Sequence, residues 1–164
     1  MSTFLPTIIL RHKKENLKKC SLRGLETRED LRFFTYPHKM DFSLDGYVML
    51  HLGDENTKEL SVEDQKFGLF FLDSTWNYEK KMHDSIKSKH SIIYRSLPKD
   101  FLTSYPRKQT MCDDPERGLA TVEALYIAHL ILGRNTDGLF NHYHFGESFL
   151  KKNTALLNLI KKDE

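Results

Sequence analysis

Large apolar residues fall along this chain in short runs, separated by charged segments with helical spacing. The clearest run is Gly68-Leu69-Phe70-Phe71-Leu72, which ends abruptly at Asp73-Ser74-Thr75-Trp76. An unbroken apolar run of this length, opened by a glycine, predicts a strand buried on both faces. Thr7 to Leu10, Asp30 to Tyr36, Tyr47 to Leu52 and Ser91 to Tyr94 predict further strands, with Pro37 closing the second. Ser61 is placed to start a short acidic helix. After Trp76, the residues Tyr78, Met82 and Ile86 recur at helical spacing, while Lys80, Lys81, Lys87 and Lys89 fall largely off that stripe. That pattern predicts an amphipathic helix with a basic outer face.

Pro98 disfavours helical geometry at Leu97 and so places a loop there. Phe101 to Gly118 carries no period. A second strong helix begins around Thr121, a candidate N-cap, with Val122, Leu125, Ala128, His129 and Leu132 on one face and Gly133 as its stop. Phe149, Leu150, Asn153, Leu156, Leu157 and Ile160 predict a single closing helix. Strands alternating with helices give an α/β domain with a largely parallel sheet flanked by helices. At 164 residues, the chain fits one domain, 1–164, with a sizeable core.

In such a sheet, ligands sit just beyond the carboxyl ends of the strands. Asp73 to Trp76 would occupy that place, although the same residues suit a helix cap and a core tryptophan. His51 ends another strand, where a surface role is the commoner one.

Charge changes the picture locally rather than globally. Lys and Arg number 25 against 23 acidic residues, so the whole chain is near neutral. The stretch Arg11 to Lys19 is nevertheless crowded with Arg11, His12, Lys13, Lys14, Lys18 and Lys19. It suits either a solvated surface or contact with RNA phosphates, which basic side chains neutralise whatever the base sequence. Cys20 and Cys112 lie far apart, which argues against a disulfide scaffold or a zinc module and suits a reducing, cytoplasmic setting. The start has no basic, apolar leader pattern, and no apolar run reaches membrane-span length, so no membrane partner is expected. His142 and His144 are a poor helical metal pair, and no metal is expected.

Taken together, five stretches resemble one superfamily. Leu72-Asp73-Ser74-Thr75-Trp76 is similar to the Asp-x-Thr-Trp signature of DTW-domain proteins and to the Asp-Cys-Ser-Trp of small-subunit rRNA aminocarboxypropyltransferases. Lys19-Cys20-Ser21-Leu22-Arg23-Gly24-Leu25 resembles the rRNA family's Lys-x-Cys-Thr/Ser-Gly-x-x-Leu, with the glycine displaced. Leu60-Ser61-Val62-Glu63-Asp64 resembles its Leu-Ser-x-x-Asp, and Leu119-Ala120-Thr121-Val122-Glu123-Ala124 resembles the Leu-Ser-Thr-x-Glu-Ala shared by both families. Phe145-Gly146-Glu147-Ser148-Phe149 with Asn153 is similar to its closing Trp-Gly-x-x-Phe and Asn. Tyr105 to Lys108 instead resembles the tRNA family's Tyr-x-Leu-Arg-Lys.

The resemblance implies a SPOUT-like, trefoil-knotted α/β fold. It implies S-adenosylmethionine as co-substrate and transfer of a 3-amino-3-carboxypropyl group to N3 of a uridine or pseudouridine in rRNA or tRNA. Carried over by position, Ser21, Leu72, Leu97 and Thr121 line the cofactor site, with Arg117 and Trp76 as further candidates. Asp73 is the candidate proton acceptor. Lys13, Lys14, Lys18, Lys19, Arg23, Arg107 and Lys108 are the candidate RNA contacts. The expected partner is structured RNA, bound by a monomer. The competing expectations are a SPOUT-type RNA methyltransferase and a non-catalytic RNA-binding assembly factor.

Overall fold

A computed structural model describes residues 4–18, 20–38, 40–50, 56–106 and 118–162, with only the backbone of Trp76 and Asn77. Among the described residues, five strands form one sheet: β1 (Thr7–His12), β2 (Leu31–Tyr36), β3 (Tyr47–Leu50), β4 (Gly68–Asp73) and β5 (Ile93–Arg95). Their order is β2-β1-β4-β3-β5, and every pairing is parallel. All five anticipated strands are present. β1 runs two residues beyond the expected end because Arg11 and His12 stay in register with Thr35 and Tyr36.

Helix α1 (Trp76–Lys89) follows β4 directly, and α2 (Thr121–Ile131) comes after β5, with residues 96–120 between them. Alternate residues of β1 and β4 point to opposite faces of the sheet and feed two cores. Ile9, Leu69 and Phe71 pack with Val122 and Leu125 of α2 and with Phe149 and Leu157 beyond it. Ile8, Leu10 and Phe70 pack on the other face with Met82 and Ile86 of α1. Both faces of the central strand are therefore buried, which is why its sequence shows no alternation.

Two sequence expectations are corrected. Thr121 is the first residue inside α2, and Ala120 is the N-cap; the Glu123 carboxylate reaches back to accept from the Ala120 amide at 2.8 Å. The closing helix is two helices, α3 (Gly146–Lys152) and α4 (Thr154–Lys162). The break falls at Asn153, 3 % exposed, whose side-chain amide donates to the Leu102 carbonyl and accepts from the Leu102 amide. Those tertiary hydrogen bonds hold Asn153 out of a continuous helix.

Candidate functional site at the ends of β1 and β4

From β1 the chain leaves toward β2 at one edge of the sheet, and from the adjacent β4 it leaves through α1 toward β5 at the other edge. The carboxyl ends of β1 and β4 are thus the point where strand order diverges, the place in open parallel sheets where ligands bind. Arg11 and Asp73 face each other in register there.

These two residues form a buried ion pair: Arg11 Nε donates to Asp73 Oδ2 at 3.1 Å. The Cys20 thiol also donates to Asp73 Oδ2 at 3.1 Å, and Thr121 Oγ1 donates to Asp73 Oδ1 at 3.3 Å. Arg11 reaches on to Glu26 Oε1 at 3.3 Å and to Cys20 Sγ at 3.5 Å. Ser21 Oγ accepts from the Val122 amide at 3.2 Å, tying the β1–β2 connection to the first turn of α2. One carboxylate therefore joins β1, β4, the Cys20 loop and the start of α2.

Electrostatics follow from this enclosure. Burial and then the nearby Asp73 charge push the Cys20 thiol up to about 12, so it stays protonated and donates. For Arg11, burial alone would favour the neutral form, but the surrounding acidic groups Cys20, Asp73 and Glu26 outweigh it and raise the pKa. Glu15, just past the end of β1, has its pKa raised by burial first and by Asp73 second, with Arg11 opposing. Its Oε2 is buried and has no hydrogen-bond partner among the described residues. A carboxylate oxygen of Glu15, Cys20 Sγ and a carboxylate oxygen of Asp73 lie within 4.8 Å of one another. The guanidinium of Arg11 already supplies a cation to that cluster.

Of the sequence-derived candidates, Ser21, Asp73 and Thr121 come together at this point. Leu97, 4 % exposed, lies in the core on the same face of the sheet. The Leu72 side chain packs on the opposite face, against the α1 core, so only its backbone shares the strand end with Asp73. Trp76 opens α1. Lys13, Lys14, Lys18 and Arg23 are exposed on the β1–β2 connection, and Lys14 sits over the Tyr78 ring at 5.7 Å. Lys19, Arg107, Lys108, Arg117, His51 and Cys112 lie outside the described residues.

Sequence reasoning passed over Arg11, Glu15 and Glu26. Arg11 looks like the first member of a basic run, yet it shares strand parity with Ile9, and that alternation is the signal that places it inward. It also missed the pairing of His12 with Tyr78, whose rings stack at 4.1 Å on the α1 side. Glu123, fully buried, accepts from Thr103 Oγ1, the Ser104 amide and Tyr143 Oη, and so anchors residues 103–104 against α2.

No family model and no curated protein matches the sequence. Among solved structures, the fold is similar to that of the SAM-dependent rRNA:acp-transferase Tsr3 from Vulcanisaeta distributa, with a TM-score of 0.65 and 18 % identity. The match covers 98 % of this chain and 85 % of that one. At this identity the likeness is one of fold.

Proposed function

We propose that this chain is an S-adenosylmethionine-dependent RNA aminocarboxypropyltransferase with a SPOUT-like knotted fold, acting as a single cytoplasmic domain and a monomer. The observation that carries the reading is the convergence of Ser21, Asp73 and Thr121 at the β1–β4 divergence. They come from three separate sequence motifs, and the fold they sit in resembles a SAM-dependent rRNA acp-transferase. The donor set fits the cofactor. An α-amino acid arm carrying a sulfonium brings two positive charges and one negative. Among the described residues the site offers an excess of carboxylates, from Glu15, Asp73 and Glu26, over Arg11, and the amide-bearing first turn of α2 suits a carboxylate.

When bound, the cofactor supplies a γ-carbon activated toward displacement by its sulfonium. The protein's part is to orient that arm and the target base, and to receive a proton. Ser21 and Thr121 fix the start of α2 against the strand ends. Arg11 and Cys20 hold Asp73 Oδ2, while Oδ1 meets only the Thr121 hydroxyl among the described residues. Oδ1 is the oxygen assigned to take the N3 proton of the uridine or pseudouridine. The base must leave its stack to reach this depth, so the substrate is an unpaired nucleotide of a structured RNA. The fold neighbour favours rRNA over tRNA.

Incubation of the protein with S-adenosylmethionine and ribosomal RNA, followed by nucleoside digestion and mass spectrometry, tests the reading. It predicts a uridine or pseudouridine heavier by one aminocarboxypropyl group. A nucleoside heavier by one methyl group overturns it.

A further inference from the structure

Glu15 is a polar residue that the fold places in the site with one buried carboxylate oxygen that no donor among the described residues meets. It follows β1 by a turn in which its own amide donates to the His12 carbonyl at 3.0 Å. That turn folds the side chain back over the strand ends, so that its carboxylate lies within 4.8 Å of both the Cys20 sulfur and the Asp73 carboxylate. Asp73 already accepts from Arg11, Cys20 and Thr121, and Glu26 binds both Arg11 and the Gly24 amide. Glu15 Oε2 is buried with no donor among the described residues. A buried carboxylate oxygen with no donor loses the hydration it has in water and gains nothing in return.

The charge balance says what kind of group would meet it. Glu15, Asp73 and Glu26 bring three carboxyl groups, and Arg11 is the one cation paired with them among the described residues. Arg11 is already committed to Asp73 and Glu26. A ligand cation that can also donate hydrogen bonds satisfies both the missing charge and the missing donor.

Resting on the proposed S-adenosylmethionine site, we infer that Glu15 binds the α-ammonium group of the cofactor's methionine arm. This gives Glu15 a positioning role: by holding the far end of the arm, it sets which carbon attached to sulfur faces the target base. It also makes the site selective for ligands that keep the amino-acid arm.

Calorimetric titration of wild-type protein and Glu15→Gln with three ligands tests the assignment. S-adenosylmethionine has both the ammonium and the sulfonium, S-adenosylhomocysteine has the ammonium alone, and methylthioadenosine has neither. Glutamine keeps the shape and removes the charge, and a melting curve verifies folding. Glu15→Asp, which shortens the arm but keeps the charge, provides the second variant. The expected result is a loss of about 10- to 100-fold in affinity for the first two ligands in Glu15→Gln, the size of one charge-assisted hydrogen bond. Methylthioadenosine affinity should stay within about twofold, and Glu15→Asp should fall between wild type and Glu15→Gln. Equal losses for all three ligands, no loss for any, or a loss confined to S-adenosylmethionine would overturn the ammonium assignment. Failure of the wild-type protein to bind any of the three would instead remove the cofactor reading on which the assignment rests.

Discussion

Arg11 and Asp73 are cross-strand partners at the ends of two adjacent parallel strands, joined by an ion pair of 3.1 Å between side chains that are 11 % and 5 % exposed. A pair buried to this degree contributes through its partners rather than alone: each charge is tolerable because the other is present. Because Asp73 also takes hydrogen bonds from the Cys20 loop and from Thr121 of α2, the pair fixes the relative position of four chain segments.

Replacing Arg11 by Met should therefore cost about 3–5 kcal/mol, the usual cost of leaving a buried charge without its partner. The double variant Arg11→Met with Asp73→Leu should recover part of that loss, since the buried Asp73 charge goes with its partner and only the half-exposed Glu26 is left unpaired. Urea unfolding of the wild type and both variants checks both statements. An Arg11→Met protein within 1 kcal/mol of wild type, by the same ranges, would make the pair incidental.

Asp73→Asn separates the scaffold from the chemistry. Glu26 remains to compensate Arg11, so the stability cost should sit near about 3 kcal/mol, the low end for a broken buried pair. The amide cannot receive the N3 proton, so the single-turnover rate at saturating cofactor should fall by about 100- to 10,000-fold. Stability and rate are measured on the same preparation. A destabilised variant that turns over at the normal rate assigns Asp73 to scaffolding alone.

Much of this arrangement was legible in advance, for physical reasons that differ along the chain. The unbroken run Gly68 to Leu72, short and opened by a glycine, reads as a doubly covered strand, and Met82 and Ile86, both fully buried, sit where their spacing put them. Ser21, Asp73 and Thr121 were found through motifs, whereas their mutual hydrogen bonds are tertiary and carry no local pattern. Arg11 was hidden because charge is read as exposure, although strand parity directs it inward. Glu15 was hidden because only a turn brings it back over the strand ends. The split between α3 and α4 was invisible because Leu156, Leu157 and Ile160 keep the helical period through Asn153, and the break is set by Leu102, some fifty residues earlier.

His129 gives the fold a pH dependence far from the site. It lies buried in the last turn of α2, with Nε2 receiving the Thr7 hydroxyl at 3.0 Å and Nδ1 donating to the Asn135 carbonyl at 3.1 Å. Burial is the main cause that lowers its pKa from 6.5 to about 4. The unfolded chain then binds a proton between about pH 6.5 and pH 4 that the folded protein refuses. Stability is full above pH 6.5 and declines as pH falls, with about 3 kcal/mol lost by pH 4 through this residue. In NMR titrations the His129 ring should stay neutral down to about pH 4. A ring that protonates near pH 6.5 in the folded protein would contradict this.

The exposed cations on the β1–β2 connection should carry the RNA. Reversing Lys13, Lys14, Lys18 and Arg23 to Glu in combination should weaken binding and flatten the dependence of log affinity on log salt by roughly one unit per lost phosphate contact. Filter binding across a salt series measures it. Unchanged affinity and slope would leave these side chains as a solvated surface.

The by-product of the reaction identifies the transferred group. Protein, RNA and S-adenosylmethionine are incubated together, and the nucleoside left after transfer is separated by chromatography. Aminocarboxypropyl transfer predicts methylthioadenosine, formed only when RNA is present. S-adenosylhomocysteine as the RNA-dependent product would contradict the account and make the protein a methyltransferase.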